Sequence, residues 1–322
     1  MFMPYNIYRS LYGVVKMDTK LFNKNGYVSI QLAKMFITIE VGSRIPTFSE
    51  LVESLDVARG TVQNSMELLV RKKAISLEKR GHLGTFLLKK NIDVLLDIAM
   101  IHYIAGVMPL PYSKRYEGLA TGIIASVQNE LSIPVNMSYM QGAKKRISML
   151  ISNRYDFAIV SEYAAKESIK VGDEIRIIKN FGPNSYLSAH VLAFHDTSKT
   201  QIEDGMKVGI DVDSIDQENI TRIVAGNANV EYVKLGYNQI ISKILNKEID
   251  VALWNEDELI QFGDRIHLVP IQLEDSTADT TAVIVINNLS KDIDYLIRKI
   301  VKIEQVLDIQ GAILDNTMIP NY

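Results

Sequence analysis

Arg59, Thr61, Gln63 and Asn64 open the stretch RGTVQNSMELLV, in which Val62, Met66, Leu69 and Val70 fall at helical spacing. Arginine pairs with guanine O6 and N7, and Gln or Asn with adenine, so a helix beginning on these side chains can read base edges in a DNA major groove. Further on, KRGHLG puts Lys79, Arg80 and His82 at the tip of a hairpin pattern, suited to the phosphate backbone or a minor groove. Arg44, Thr47 and Thr85 complete the DNA-contact candidates. Enzymatic chemistry leaves fewer marks. The five histidines, at 82, 102, 190, 195 and 267, show no HExxH or HxH spacing, and no Gly-x-Ser-x-Gly, P-loop or GxGxxG is present. The chain has no cysteine, which excludes disulfides, zinc–thiolate sites and cysteine nucleophiles. No cofactor and no metal are expected.

The DNA-reading side chains need a scaffold. Leu32, Met35, Phe36 and Ile39 predict a helix over residues 28–41 that stops at Gly42. Pro46, Thr47 and Ser49 open a second, with Thr47 as N-cap, Glu50 as its capping-box partner, and Leu51, Val52 and Leu55 as its apolar face. Asp56-Val57 makes the turn into a third helix that runs to Lys73. Residues 74–79 and 84–88 read as two strands of a hairpin. Three helices and a hairpin make a winged helix-turn-helix.

Charge supports this placement. Residues 1–90 carry 14 Lys/Arg against 7 Asp/Glu, a balance of +7; the rest carry 21 against 31, a balance of −10. A basic first third on an acidic body suits a polyanionic partner at one end. Residues 1–25 form a basic arm with Arg9, Lys16, Lys20 and Lys24. No stretch reads as a secretory signal or is apolar enough to span a bilayer, so a cytoplasmic protein with no membrane partner is expected.

The segment 42–87 resembles the GntR-type DNA-binding domain. Gly42, Pro46, Glu50, Leu51, Val57, Arg59, Thr61, Val62, Leu69, Ile75, Gly84, Thr85 and Phe86 match that family's pattern in order. Ser49, Ala58 and Gln63 depart from it, where the family usually has a basic residue, Ser and Arg. The resemblance implies DNA binding with a base preference unlike common GntR operators.

From Asn91 the pattern alternates strand and helix. Residues 91–98 read as a short helical connector. Strands are predicted at 101–108, 135–140 and 157–160, with helices at 113–130 and 144–152 between them. The series then repeats: strands at 207–210, 230–235 and 251–254, helices at 217–224 and 238–246. Residues 187–194 and 281–286 read as strands crossing between the halves, and 293–314 as one last amphipathic helix. Such alternation builds parallel sheets with crossover helices. The expected fold class is an α+β winged helix-turn-helix domain (26–90) after the basic arm (1–25), then a bilobal α/β domain (91–322) resembling the periplasmic-binding-protein type 2 fold, also used by LysR-type effector domains.

Open α/β sheets bind ligands at the carboxyl ends of their strands, beside helix N-termini. That rule selects 109–113, 139–142, 161–162, 211–214, 236–238 and 254–256. The ligand-binding candidates are Pro111, Tyr112, Ser113, Gln141, Gly142, Ser161, Glu162, Tyr186, Asp211, Ser214, Trp254, Asn255 and Glu256. Ser113 and Ser214 also suit plain helix capping, Glu162 a solvated turn and Trp254 a core position. MPLPYS (108–113) reads as the lip of the site rather than a hinge, because the domain boundary falls earlier, at about residue 90.

A further resemblance covers almost the whole chain. MPLPY at 108–112, YEGLA at 116–120, Gly122, Tyr155-Asp156, Val160-Ser161, Gly182-Pro183, Tyr186, Asp250-Val251, Trp254-Asn255 and Tyr322 are similar to the YhfZ family of transcriptional regulators. The resemblance supplies architecture more than chemistry; with the winged helix and the two lobes, the expected function is a ligand-responsive regulator that binds double-stranded DNA as a homodimer and takes a small polar or anionic effector between the lobes. Two other classes stay open: a winged helix used for protein contact beside a small-molecule sensor, and an enzyme built on the bilobal fold.

Overall fold

The computed structural model describes residues 7–10, 13–16, 24–261, 265–271 and 277–322. Within the arm, strands β1 (Ile7–Ser10) and β2 (Gly13–Lys16) pair antiparallel, and the remainder of the basic stretch up to residue 23 lies outside the described residues. The chain divides into two compact units. The first comprises Met1–Ile104, Val127–Asn136 and Leu289–Ile300; the second comprises Ala105–Ser126, Met137–Asn288 and Val301–Tyr322.

In the first unit, α1 (Lys24–Thr38), α2 (Phe48–Leu55) and α3 (Arg59–Arg71) precede the antiparallel hairpin of β3 (Ile75–Lys79) and β4 (Thr85–Lys90). This is the expected winged helix-turn-helix. Its core is Val28, Leu32, Phe36 and Ile37 of α1, Leu51 of α2, and Val62, Met66 and Leu69 of α3. Two details differ from expectation. α1 starts and ends earlier, and Ala33 and Ile37 are buried on it where Met35 and Ile39 are only half-buried. Val70 is exposed, because the neighbouring Leu69 takes the inward position on α3. Thr47 closes the capping box as predicted: its hydroxyl accepts from Glu50 N (3.3 Å) and its own N–H donates to Glu50 Oε2 (2.6 Å). A short helix, α4 (Ile92–Ile98), follows.

The second unit contains two five-stranded sheets of like order. The first lobe is ordered β6 (Val135–Tyr139), β5 (Ile104–Met108), β7 (Phe157–Ser161), β14 (Ala282–Asn287), β8 (Ile175–Asn180), and the second β11 (Glu231–Lys234), β10 (Lys207–Ile210), β12 (Val251–Asn255), β9 (His190–Phe194), β13 (His267–Pro270). Parallel pairing joins β5 to β7 and β10 to both β11 and β12, while β14 and β9 run antiparallel to their neighbours. The chain enters the second lobe through β9 and returns to the first through β14. This is the bilobal α/β arrangement expected from the repeated strand–helix series. The first three strands of each lobe are connected by α5 (Lys114–Gln128) and α6 (Ala143–Ile151), or by α8 (Ile215–Ala225) and α9 (Ile240–Leu245). Sequence reading missed α7 (Glu162–Lys170), β8 and β13.

The single last helix expected over 293–314 is two: α10 (Lys291–Ile300), in the first unit, and α11 (Ile303–Leu314), in the second. Lys302 between them is extended, and its N–H donates to Ser126 Oγ (2.9 Å). Neither Gly nor Pro marks the break, and apolar spacing runs through it. Within the first unit, Lys90 Nζ donates to Ile37 O and Ile39 O (2.7 Å each) and to Tyr295 OH of α10 (3.1 Å). Within the second, α11 lies against α5 where two glycines allow close approach. A Cβ on Gly118 would sit 2.9 Å from Gln310 Cα, and one on Gly122 2.8 Å from Val306 O.

Candidate functional site

The strand ends of the two lobes converge on a cavity of about 70 Å³. Strand β5 delivers Pro109 and Leu110 to it, and the first turn of α5 delivers Tyr116. Tyr112 stands at the rim, 41% exposed. Two aromatic pairs wall the cavity. Tyr237 and Trp254 stack at 4.0 Å with 7° between planes, and Tyr116 meets Tyr186 edge-on at 5.2 Å. Burial pushes the phenols of Tyr116 and Tyr237 well above their usual range and raises that of Tyr186. Trp254 Nε1 is buried with no hydrogen-bond partner among the described residues.

The polar lining is ordered by cross-lobe bonds. Gln141 Nε2 donates to Asp211 Oδ2 (3.2 Å), and Ser161 Oγ donates to Asp216 Oδ1 (2.6 Å). Lys144 Nζ reaches Val212 O and Glu218 Oε2, both at 2.7 Å, and Lys145 pairs with Asp213 at 2.6 Å. Gly142, at φ +82°, backs onto Asp213: a Cβ there would lie 2.8 Å from Asp213 Cβ. On the other side, Arg115 Nε donates to Asp257 Oδ2 (3.0 Å). Bonds between the lobes thus flank the cavity on both sides.

Arg146 is buried, with three of its five N–H groups engaged. Its guanidinium donates to Ile159 O (3.1 Å), Met140 O (2.8 Å) and Tyr186 OH (3.0 Å), bracing two strand ends and one wall. His190 Nδ1 lies 2.8 Å from Asp279 Oδ2, with both residues buried, and holds the two crossing segments together. Asp216 is raised by burial, against the hydrogen bond from Ser161 and the nearby His190. Glu258, 9% exposed, receives only Asn255 Nδ2 (3.3 Å) and Tyr237 OH (3.4 Å), and burial lifts its carboxyl to about 7.

Of the ligand candidates from sequence, the fold brings Tyr112, Gln141, Gly142, Tyr186, Asp211, Ser214, Trp254 and Asn255 to one cavity. The other five stand off its lining. Pro111 is displaced by Pro109 and Leu110, and Ser113 is spent capping α5, its Oγ accepting from Tyr116 N (3.4 Å). Ser161 caps α7 through Ala164 N (2.9 Å) and acts on the cavity only through Asp216. Glu162 pairs with Lys166 at 2.8 Å. Glu256 is exposed, with Ser188 Oγ at 3.4 Å; the carboxylate that reaches the cavity is Glu258. The 3₁₀ turn over Glu256–Gln261 explains this, since a three-residue period puts Glu258 on the side of Asn255. That period was the available signal. Tyr116, Arg146, His190, Asp216 and Gln217 were also missed: each lies inside a helix or strand, where periodicity reads as core or surface; Tyr237 falls within the selected strand-end stretch 236–238.

On the winged helix, Arg59, Gln63 and Asn64 are exposed at the start of α3 and Thr61 is half-buried. Gln63 Nε2 donates to Glu67 Oε1 (3.2 Å). Ala58 provides no side-chain cap to α3. Arg80 and His82 are exposed on the 3₁₀ turn at the hairpin tip, with Arg80 4.4 Å above the Phe86 ring and bonded to Glu78. Arg44 and Thr47 are exposed and Thr85 half-buried; Arg44 bridges to Phe86.

Two family profiles match the chain. The profile of the YhfZ C-terminal domain matches residues 91–322, and that of a helix-turn-helix domain matches residues 40–87. The chain is 28% identical over 310 residues to the uncharacterized protein YhfZ of Escherichia coli K12, covering 95% of this chain and 100% of that one. The crystal structure of YhfZ from Shigella flexneri is similar at a TM-score of 0.59 and 29% identity, over 71% of this chain and 97% of the other. A periplasmic substrate-binding protein of an ABC transporter from Coxiella burnetii gives 0.47 and 15%, over 68% of this chain and 100% of the other. Among the described residues, no helix is long and apolar enough to cross a membrane.

Proposed function

We propose that this chain, which belongs to the YhfZ family, is a ligand-responsive transcriptional regulator and not an enzyme. Residues 26–90 bind double-stranded DNA, with Arg59, Gln63 and Asn64 on base edges and Arg44, Arg80 and His82 on the backbone. Residues 91–322 take a small polar metabolite in the closed cleft. The observation that carries this reading is the union, in one chain, of an exposed polar recognition-helix start with a two-lobed cleft latched over a polar, aromatic-walled cavity. A cleft that binds ligand only when latched gives the two states different affinities, which is what an effector needs to shift an equilibrium. The protein acts as a homodimer, because winged-helix readers commonly meet two-fold related half-sites.

Two experiments test the two halves. Duplexes selected from a random pool by the full chain are expected to bind in a salt-sensitive manner, since phosphate contacts dominate affinity. Mass spectrometry of the native protein is expected to find a small molecule lost on denaturation. No selected duplex at any salt concentration would favour the protein-contact class, and turnover of a retained molecule would favour an enzyme.

A further inference from the structure

The ionisable groups around the cavity are unevenly satisfied. Asp211 is held by Gln141 and by the N–H of Asp213 (3.0 Å), Asp216 by Ser161, and His190 by Asp279. Arg146 places three of its five N–H groups on protein oxygens and, among the described residues, is in no ion pair either. Glu258 is different. It is buried, it faces two neutral donors at long distance, and none of the ion pairs among the described residues includes it. A buried carboxylate without a cation is costly and is retained where a cation completes it. The walls beside it are aromatic: the Tyr237–Trp254 stack, Tyr116, and Tyr112 at the rim. Aromatic rings next to a carboxylate suit an organic ammonium, which gains both the ion pair and the ring quadrupole.

We infer that the cleft's effector carries an organic ammonium group, bound by the Glu258 carboxylate between the Tyr237–Trp254 stack and the Tyr112–Tyr116 side of the cavity. This rests on the reading of the cleft as the effector site and narrows the ligand expected from sequence, polar or anionic, to one with a cationic end.

The test uses the full chain and three probes of matched length: n-butylammonium chloride, sodium butanoate and n-butanol. Trp254 is the only tryptophan, so its fluorescence reports this cavity alone. The expected result is a saturable change with butylammonium, at least tenfold weaker with butanoate and butanol. Glu258→Gln, which keeps the size and the hydrogen bonds, is expected to weaken butylammonium at least tenfold while the far-ultraviolet circular dichroism is unchanged. In the wild type the affinity for butylammonium is expected to rise from pH 6 to pH 8. Tighter binding of butanoate, equal butylammonium binding by Glu258→Gln, or no saturable change with butylammonium would each overturn the assignment. If Glu258→Gln does not fold, the wild-type probe ranking and its pH trend decide. Binding of a selected duplex is measured on the same preparation. Its absence alongside intact ammonium binding would strike the regulator reading and leave the ammonium site, and the converse would do the reverse.

Discussion

Replacing Glu258 with Gln should make the ligand-free protein more stable, by an amount that depends on pH. Burial holds the carboxyl at about 7 against an ordinary 4.5. The unfolded chain ionises this group near 4.5, whereas the folded protein keeps the proton to about 7. The folded state therefore binds the extra proton in that window, and stability falls as pH rises through it. The groups facing Glu258 are Asn255 and Tyr237, which favour its charged form, and Asp257, which opposes it; Tyr112 and Tyr116 of the first lobe also feel its charge. At about 1.4 kcal/mol per pH unit, the penalty comes to about 3 kcal/mol at pH 8 and about 1 kcal/mol at pH 5.5. A glutamine avoids it. Urea unfolding followed by Trp254 fluorescence, which reports the second unit, is expected to show Glu258→Gln more stable than wild type by these amounts. An equal gain at both pH values would mean the effect is packing and not ionisation. A loss at pH 8 would refute the claim that the carboxylate is held at a cost.

Other outcomes follow from the same geometry. Gly142→Ala adds a Cβ 2.8 Å from Asp213 at a φ of +82°, so it should hold the lobes apart and weaken butylammonium at least tenfold in the Trp254 assay. Arg59→Ala and Gln63→Ala should each cost about 1–3 kcal/mol of binding to a selected duplex, whereas Arg80→Ala should weaken all duplexes alike and flatten the salt dependence, as read by fluorescence anisotropy. Gly122→Ala meets Val306 O at 2.8 Å and should destabilise the second unit by about 1–3 kcal/mol, read from its urea midpoint. Lys90→Met removes the bonds to Ile37 O, Ile39 O and Tyr295 and should lower the melting temperature of the winged-helix unit, leaving the Trp254 transition in place.

Much of this architecture was legible in the sequence. The winged helix announced itself through a capping box, three short apolar periods and a glycine-flanked hairpin tip. The doubled strand–helix series was legible because buried parallel strands such as FAIVS and VALWN are continuous apolar runs between polar turns. Strand β13 was not, because HLVP is short, half-buried and ends in Pro270. The break between α10 and α11 was invisible because their apolar spacing stays in phase while the chain passes from one unit to the other. At the site, strand-end logic reached the lining within one or two residues but chose Glu256, directly after the strand, over Glu258, which the following 3₁₀ turn brings to the side of Asn255. The motif YEGLATG divides its duties: Tyr116 enters the cavity, while Gly118 and Gly122 accommodate α11. Sequence alone gives no sign of that division, because α11 lies almost two hundred residues further along the chain.

The central claim is that the state of the cleft sets the affinity for DNA. It is tested most directly by comparing the dissociation constants of wild type and Gly142→Ala for one selected duplex, at fixed salt and pH. Coupling between sites of this kind is worth about 1–3 kcal/mol, so the two are expected to differ by roughly fivefold or more. Equal constants, with the Trp254 assay confirming that the variant no longer closes, would contradict the account.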